Sequence, residues 1–270
     1  FMAFLFNTWC CTSILNPGPK MKIKKSRLAI NQQRKSDKKK KIGTVIAIIA
    51  LILIGVAIYC IANFDHIQGQ AANYVATNHL SSQRKNKQKK KPSFNMKAVQ
   101  PVSPQSLANA YQHRRDYRAV GQIAIRDHNV LLNIYRGVGN VELNLGAGTM
   151  NQYQKMGEGN YALAGHNMDD GRSFFSPLYT AKVRGNLPNG TTILLTDYKK
   201  VYYYKITSSQ FISVYNLRLA WNNKEFKKKP VISLFTCDWT GQGRLFIRGK
   251  YTGSQDYKGA SKYVRGSFNF

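Results

Sequence analysis

Hydrophobic residues are distributed along this chain in two distinct patterns. Residues 42–62 form one unbroken apolar run without a charged side chain, and ~20 residues suffice for a helix to cross the hydrocarbon core of a bilayer. From about residue 106 onward, the apolar positions fall into short runs separated by Gly, Asn and Asp. This change predicts a transmembrane helix near the start of the chain and a mainly β domain from residue 106.

The short apolar runs predict strands, and helical patterns are few. Residues 107–117 and 141–145 are the only helical patterns in this part of the chain. The predicted strands are residues 121–125, 130–135, 160–164, 191–196, 201–208, 231–236 and 244–251. Short strands without alternating helices favour an antiparallel barrel or sandwich, and we predict a barrel because many runs are apolar without strict alternation.

The stretch between the apolar run and the β domain is polar. Residues 63–105 contain too few apolar residues to form a core, so they are predicted to be a stalk with a short helix at 69–80. The basic run 84–91 has two interpretations, a contact with anionic headgroups or wall polymers and a solvated linker. The predicted organisation is a cytoplasmic basic segment (1–41), a membrane anchor (42–62), an extracellular stalk (63–105) and one β domain (106–270).

The formal net charge of +29 would suit a nucleic-acid-binding protein, but its location argues otherwise. Half of the excess lies in the basic runs 20–41 and 84–91, which flank the apolar run and indicate a membrane as the partner. Four lysines, 38–41, adjoin the apolar run, so the positive-inside rule predicts a cytoplasmic N-terminus and an external β domain. The alternative is a cleaved signal peptide, whose apolar core is usually shorter. We expect no nucleic acid among the partners.

Residues 1–20 share no pattern with the rest of the chain, and Met21 precedes a lysine-rich segment typical of a natural start. We therefore expect residues 1–20 to be absent from the native protein. N-terminal sequencing or the intact mass of the native protein tests this expectation.

Cysteine usage limits the chemistry of the β domain. Cys10, Cys11 and Cys60 precede it, so Cys237 is the only cysteine that it contains. The chain lacks CxxC and the His/Cys spacing of a zinc site, and we predict no metal and no cofactor. A single cysteine on a strand is either a small buried hydrophobic residue or a nucleophile.

The positions of three residues at predicted strand ends favour the interpretation of Cys237 as a nucleophile. Cys237 follows the strand 231–236, Arg244 begins the next strand, and His166 follows the strand 160–164. Cysteine catalysis needs a thiolate, a proton donor and acceptor, and donors for an oxyanion, which these three residues supply. We expect the other two histidines of the domain, His113 and His128, to face solvent.

The sequences around these residues resemble the sortases, class A in particular. The resemblance rests on Tyr161-Ala-Leu-Ala-Gly-His-Asn-Met168 and on Ser233-Leu-Phe-Thr-Cys237 with a downstream arginine, and it extends over residues 120–251. The family pattern is Thr-Leu-x-Thr-Cys, so Ser233 replaces its first threonine and keeps a hydroxyl group.

The resemblance implies an eight-stranded antiparallel β-barrel with short helices, behind an N-terminal transmembrane helix. It implies a transpeptidase that cuts an LPxTG-like sorting signal of surface proteins between Thr and Gly and transfers the product to an amine of a lipid-linked peptidoglycan precursor. Such an enzyme lies in the cell membrane of a Gram-positive-type envelope.

The resemblance also implies roles for individual residues. Cys237 would be the nucleophile, His166 the general acid and base, and Arg244 the residue that stabilises the oxyanion or positions the substrate. Substrate contacts would come from Ala164, Ser233 and Thr236. Arg248 is the rival of Arg244, but it lies ~13 Å further along the strand.

Features that are missing refine the expected subclass. An Asp-Pro-aromatic lid motif and a C-terminal membrane helix, usual in pilus-building sortases, are absent, which favours the housekeeping type. Some relatives bind calcium through clustered carboxylates, whereas the loop 222–229 is cationic, so we expect little dependence on calcium.

Two other functions compete with the transpeptidase. One is a non-catalytic module that binds anionic wall polymer or membrane through the basic stalk and the tyrosines Tyr202-Tyr-Tyr204. The other is a wall peptidase of the type whose cysteine precedes its histidine, and the order of His166 and Cys237 argues against it.

Overall fold

The computed structural model describes residues 20–77, 80–168, 170–221 and 224–270. The predicted non-native start therefore lies, except for Lys20, outside the described residues. The chain divides into two compact units, Phe1–Ala62 and Asn63–Phe270.

The described part of the first unit is one helix, α1 (Lys20–Ala62), which includes the basic run and the apolar run. Lysine and alanine are good helix formers, and the same helix continues through the isoleucine-rich apolar run although isoleucine has a lower helix propensity. Within the described residues, one helix is long and apolar enough to cross a membrane, Ser26–Ala62, and its apolar part is fully exposed. The helix ends where the predicted apolar run ends.

The second unit contains a closed eight-stranded β-barrel, as predicted. Its strands follow the barrel in the order β1-β2-β3-β4-β7-β8-β6-β5. They are β1 (Ala119–Ile125), β2 (Val130–Arg136), β3 (Ala147–Thr149), β4 (Asn160–Ala164), β5 (Thr192–Thr196), β6 (Lys200–Ser213), β7 (Val231–Cys237) and β8 (Gly243–Asp256). The pattern of apolar runs missed only β3, because a three-residue strand with a central Gly148 has no apolar run.

The barrel is not fully antiparallel, which corrects the prediction. The β2–β3 and β4–β7 pairs are parallel, and the other pairs are antiparallel. The chain between β4 and β7 forms two further strands and returns to the end at which β4 began, so β7 enters in the same direction. The parallel pair therefore places the C-terminal ends of β4 and β7 side by side.

Short helices connect and cover the barrel. The second unit contains α2 (Phe64–Thr77), α3 (Pro104–His113), α4 (Asn140–Leu145), α5 (Ser176–Val183), α6 (Lys224–Lys228) and α7 (Lys262–Arg265). Ser103 caps α3 by accepting a hydrogen bond from the Ser106 amide, and Ser106 returns the contact. The helix α5 was not predicted, because its eight residues begin with Ser176-Pro177 and resemble a turn.

Residues 63–105, predicted to be a stalk, belong to the second unit. Helix α2 buries Gly69, Ala72 and Ala76, small residues that allow close packing. Further along, the Val138 amide donates a 2.6 Å hydrogen bond to the carbonyl oxygen of Ser93. The buried positions of this segment are mostly small or backbone groups, so its low apolar content did not reveal that it packs against the domain.

Candidate active site

The outer face of three adjacent strands, β4, β7 and β8, carries the predicted site. Alternate residues of a strand point to opposite faces, and Ile232 and Leu234 of β7 belong to the central core. Cys237, Phe235 and Ser233 therefore share the other face. The strand register aligns their neighbours in three rows: Cys237 with Arg244, Phe235 with Ala164 and Phe246, and Ser233 with Ala162 and Arg248.

Cys237 ends β7 and is partly buried. Its carbonyl oxygen accepts a 3.1 Å hydrogen bond from the Asn167 side-chain amide, which ties the end of β7 to the loop after β4. Burial raises the pKa of the Cys237 thiol above its usual value, while the charge of Arg244 opposes this shift. The free thiol is therefore mainly protonated at neutral pH.

His166 lies two residues beyond β4 and is 6% exposed. Its backbone is held on both sides: Gly165 donates to the carbonyl of Phe235, and Phe175 donates to the carbonyl of His166, both at 3.0 Å. The ring meets Phe174 edge to face at 5.5 Å between centroids. Burial lowers the pKa of His166 to about 4, so the resting imidazole is neutral.

Arg244 is the second residue of β8 and pairs directly with Cys237 of β7. Its Nη1 donates to the carbonyl oxygens of Gly241 at 2.9 Å and Gly243 at 2.7 Å. These two contacts hold the guanidinium to its own turn and fix its direction near the thiol.

The three predicted catalytic residues meet in one small cavity of about 50 Å³. Nε2 of His166 is buried and has no hydrogen-bond partner among the described residues. An unpaired buried nitrogen is costly in a purely structural histidine, so the cavity is suited to a bound polar group. The cavity is lined by Met96, Val99, Val138, Leu143, Ala164, Gly165, His166, Phe235, Thr236, Cys237 and Arg244.

The predicted substrate residues fall into two groups. Ala164 and Thr236 are buried and line the cavity, and the Thr236 hydroxyl has no partner among the described residues. Ser233 is fully buried and lies outside the cavity lining. Its hydroxyl contacts Asn160 and Arg248.

Sequence reasoning missed Met96 and Val99, which form part of the cavity wall from within the predicted stalk. The signal was present, because they are two of the few apolar residues in a basic and polar segment. His113 is exposed as predicted, whereas His128 is only partly exposed and its Nε2 is buried.

Larger cavities exist elsewhere in the second unit. One of about 560 Å³ lies between α2 and the loop that contains Asp170, and one of about 510 Å³ lies beside the loop between β3 and β4. Neither includes Cys237, His166 or Arg244 in its lining, so size does not identify the site here. The parts of the chain that the structure describes contain no group of three His, Cys, Asp or Glu residues suited to a metal ion.

Comparisons with known proteins identify the family. The sequence model of the sortase domain family matches residues 123–252. Sortase A of Listeria monocytogenes serovar 1/2a is 30% identical over 200 residues, which are 74% of this chain and 84% of that protein. Sortase A of Streptococcus agalactiae serotype III is 28% identical over 230 residues, 82% of this chain and 90% of its own length.

The solved structure of Listeria monocytogenes sortase A is 30% identical and covers 56% of this chain and 96% of its own, with a TM-score of 0.48. The domain match and the 30% identity over most of a relative assign the chain to a family on sequence. The closed eight-stranded barrel agrees with that assignment. The chain therefore belongs to the sortase family of cysteine transpeptidases, which anchor surface proteins to the cell wall.

Proposed function

We propose that this chain is a class A sortase that cleaves an LPxTG-like sorting signal between Thr and Gly and transfers the protein to an amine of a lipid-linked peptidoglycan precursor. The observation that carries the proposal is the cavity shared by Cys237, His166 and Arg244. The names of the two relatives, both sortase A, support the class.

In the first half-reaction, Sγ of Cys237 attacks the carbonyl carbon of the scissile Thr, and the thiol proton passes to His166. Burial keeps both groups neutral at rest, so the reactive thiolate–imidazolium pair is a minor state that bound substrate favours. An imidazolium in a site that disfavours its charge is a strong acid. It protonates the leaving glycine amine as the C–N bond breaks and a thioester forms on Cys237.

Arg244 is the proposed donor to the oxyanion of the tetrahedral intermediate. Its hydrogen bonds to Gly241 and Gly243 orient the guanidinium before the substrate arrives, and a preoriented donor costs little reorganisation during the reaction. In the second half-reaction an amine attacks the thioester. His166 accepts the amine proton, and the thiol of Cys237 is regenerated.

We propose that α1 anchors the enzyme in the cell membrane with its lysine-rich end in the cytoplasm and the barrel outside. Protease added to intact cells should then digest the barrel and spare the N-terminal end of α1. Protection of the barrel until the cells are lysed would contradict this orientation.

The test of the activity uses the full chain in detergent with a quenched LPxTG peptide and an oligoglycine acceptor. Wild type should yield an amine-linked product, and Cys237→Ala should abolish it. Cys60→Ser, which removes an exposed thiol from α1, is the matched control and should keep full activity. Absence of product from the folded wild type with several LPxTG variants would overturn the proposal.

The competing binding-module function relies on the basic stalk and on Tyr202-Tyr-Tyr204, and the contacts of the three tyrosines do not favour it. Tyr204 is fully buried, and its hydroxyl accepts a hydrogen bond from the Gly157 amide. The Tyr202 hydroxyl donates to Asp197, and that of Tyr203 contacts Gln255. These hydroxyl groups are engaged within the domain and are poorly placed to bind a polymer.

A further inference from the structure

A polar cluster that the catalytic chemistry does not use joins two residues of the third row, Ser233 and Arg248, to Asn160, which lies two positions before Ala162 on the same face of β4. The cluster consists of Asn160 on β4, Ser233 on β7 and Arg248 on β8. The Ser233 hydroxyl donates to Oδ1 of Asn160 at 2.6 Å and accepts from Nη1 of Arg248 at 2.8 Å. The three strands are thus joined by side chains as well as by their backbones.

The same cluster binds the backbone of the loop between β6 and β7. Nη2 of Arg248 donates to the carbonyl of Leu219 at 3.2 Å. Nδ2 of Asn160 donates to the carbonyls of Leu219 at 2.9 Å and Trp221 at 3.0 Å. A neighbouring amide, Asn151, reaches the carbonyl of Ala220 at 2.8 Å. Three consecutive carbonyl oxygens of this loop are therefore bound by side chains of the barrel strands and of the loop between β3 and β4.

Arg248 is held mainly by neutral and aromatic groups. Its guanidinium lies 5.0 Å from the ring centroid of Phe226, on α6 of the same loop, and 4.9 Å from that of Phe246. Among the described residues it has no carboxylate within ion-pair distance. A partly buried cation with this set of partners stabilises one loop position, because each partner is a directional or face-specific contact.

The loop held in this way adjoins the catalytic cavity. Leu217, Leu219 and Ala220 pack in the same apolar cluster as Ala164 and Phe235, which line the cavity beside Cys237. The middle row of the outer face, Ala164, Phe235 and Phe246, therefore lies between the row that contains Cys237 and Arg244 and the polar cluster. A peptide whose scissile carbonyl reaches Cys237 would lay its preceding apolar side chains over this middle row.

We propose that Asn160, Ser233 and Arg248 are positioning residues that fix the β6–β7 loop and thereby shape the apolar part of the sorting-signal site. This inference rests on the proposed function for its substrate, but not for the loop contacts. It gives Ser233 a role in positioning the loop, in place of direct contact with substrate. It also assigns Arg248 a role distinct from that of Arg244.

The test compares Arg248→Met with Lys250→Met in the full chain in detergent. Lys250 lies two residues further along β8 and is exposed, so its variant controls for the lost charge. Arg248→Met should raise the KM for the LPxTG peptide about tenfold, with kcat changed far less, because two hydrogen bonds from a charged group are lost. Discrimination between Leu and Ala at the apolar position of the peptide should also fall. Lys250→Met should behave like wild type.

Ser233→Thr and Ser233→Ala separate the hydroxyl from the side-chain volume. The threonine variant keeps the hydroxyl and should retain the wild-type KM, and the alanine variant should shift KM in the direction of Arg248→Met. An unchanged KM and unchanged Leu/Ala discrimination in folded Arg248→Met would overturn the inference. A loss confined to kcat would do the same, because it would assign Arg248 to the chemical step.

Limited trypsin digestion supplies a readout that needs no activity. The loop carries exposed Arg218 and Lys227–Lys229. Cleavage there should be faster in Arg248→Met than in Lys250→Met, because the loop loses the guanidinium bond to the Leu219 carbonyl and the contact with the Phe226 ring. Equal rates would overturn the inference even if the enzyme cleaves its peptide. Faster cleavage in an enzyme that processes no LPxTG peptide would instead contradict the proposed substrate alone.

Discussion

Cys237 and Arg244 are direct register partners across the antiparallel pair β7–β8. Neighbouring positions in a register lie on the same face, so the thiol and the guanidinium share one end of the barrel. The charge of Arg244 also favours the thiolate of Cys237 against the effect of burial. Arg248 lies one further row beyond Phe246 on the same face and has its own set of partners.

Replacing Arg244 tests the oxyanion role. We expect Arg244→Ala to lower kcat about 10²- to 10³-fold, the usual loss for one oxyanion donor, with a smaller effect on KM. Arg244→Lys should be intermediate, because one ammonium can bind the two turn carbonyls as Nη1 does but has no second nitrogen to offer to an oxyanion. Steady-state kinetics with the LPxTG peptide measure both, with Arg218→Ala as an exposed-arginine control. Near-wild-type kcat in Arg244→Ala would remove this residue from the mechanism.

The buried His166 makes stability depend on pH in a defined window. Its pKa falls from 6.5 in the unfolded chain to about 4 in the fold, so the unfolded state binds more protons between these values. The contribution of the neutral ring to the unfolding free energy is therefore fully present above pH 6.5, and it is lost as the pH falls towards 4. The shift corresponds to about 3 kcal/mol of unfolding free energy.

Denaturant titrations across this window measure the effect in wild type and His166→Gln. On acidification, the unfolding free energy of the variant should fall by less than that of wild type, and the difference between the two decreases should be about 3 kcal/mol. The raised pKa of Glu142, caused by burial, acts in the opposite direction in both proteins, and the lowered pKa of His128 acts in the same direction in both. The difference between the two proteins isolates His166, and parallel curves would refute the assignment.

Gly165 leaves no space for a side chain beside His166. A Cβ there would lie 2.6 Å from Cδ2 of the buried Phe175, whose backbone amide binds the His166 carbonyl. Gly165→Ala should destabilise the domain by about 1–3 kcal/mol, the usual cost of overpacking, and should lower activity by displacing His166. Gly259→Ala, where nothing lies within 4 Å, is the control. Thermal unfolding and peptide cleavage measure the two effects, and equal behaviour of both variants would contradict the prediction.

We expect residues 93–100 to restrict access to the Cys237 thiol. Met96 and Val99 line the cavity, and Gln100 holds the segment by donating a 2.9 Å hydrogen bond to Asn140. Replacing both Met96 and Val99 by alanine should speed alkylation of the Cys237 thiol several-fold, because the smaller side chains leave a wider opening to the cavity. Mass spectrometry of the tryptic peptide that contains Cys237 measures the rate, with exposed Lys97→Ala as control. An unchanged rate would mean that these side chains do not limit access.

Calcium should have little effect on activity. The described residues contain no group of three acidic, histidine or cysteine side chains that could hold an ion, and the loop before β7 carries Lys227–Lys229. Added calcium or a chelator should therefore change the cleavage rate by less than about twofold, since calcium sites need several oxygen ligands. A several-fold stimulation by calcium would contradict this prediction.

Much of the barrel could be predicted from local pattern, because short apolar runs bounded by Gly, Asn and Asp mark strands wherever they pack. All seven predicted strands are present, and β4 has the predicted bounds. The extension of β6 to Ser213 was missed, because its last residues are polar and are ordered by pairing with the first residues of β8.

The candidate site was predicted only in part. The strand ends and the matching motifs singled out His166, Cys237 and Arg244, and the structure brings these three together. Their individual roles stay predictions until the variants are measured. Met96 and Val99 were missed, since their apolar character in a polar segment does not tell which distant strand end they pack over.

The sequence by itself determined which residues share a face of each strand, because the side-chain period of two places Ser233, Phe235 and Cys237 on one side whatever the partner strand. Only the tertiary structure decided which strands lie beside one another. The parallel pairing of β4 with β7 joins segments far apart in the chain, as the contact between Asn167 and Cys237 across 70 residues illustrates. Such pairings depend on the packing of the whole barrel, and no local pattern encodes them.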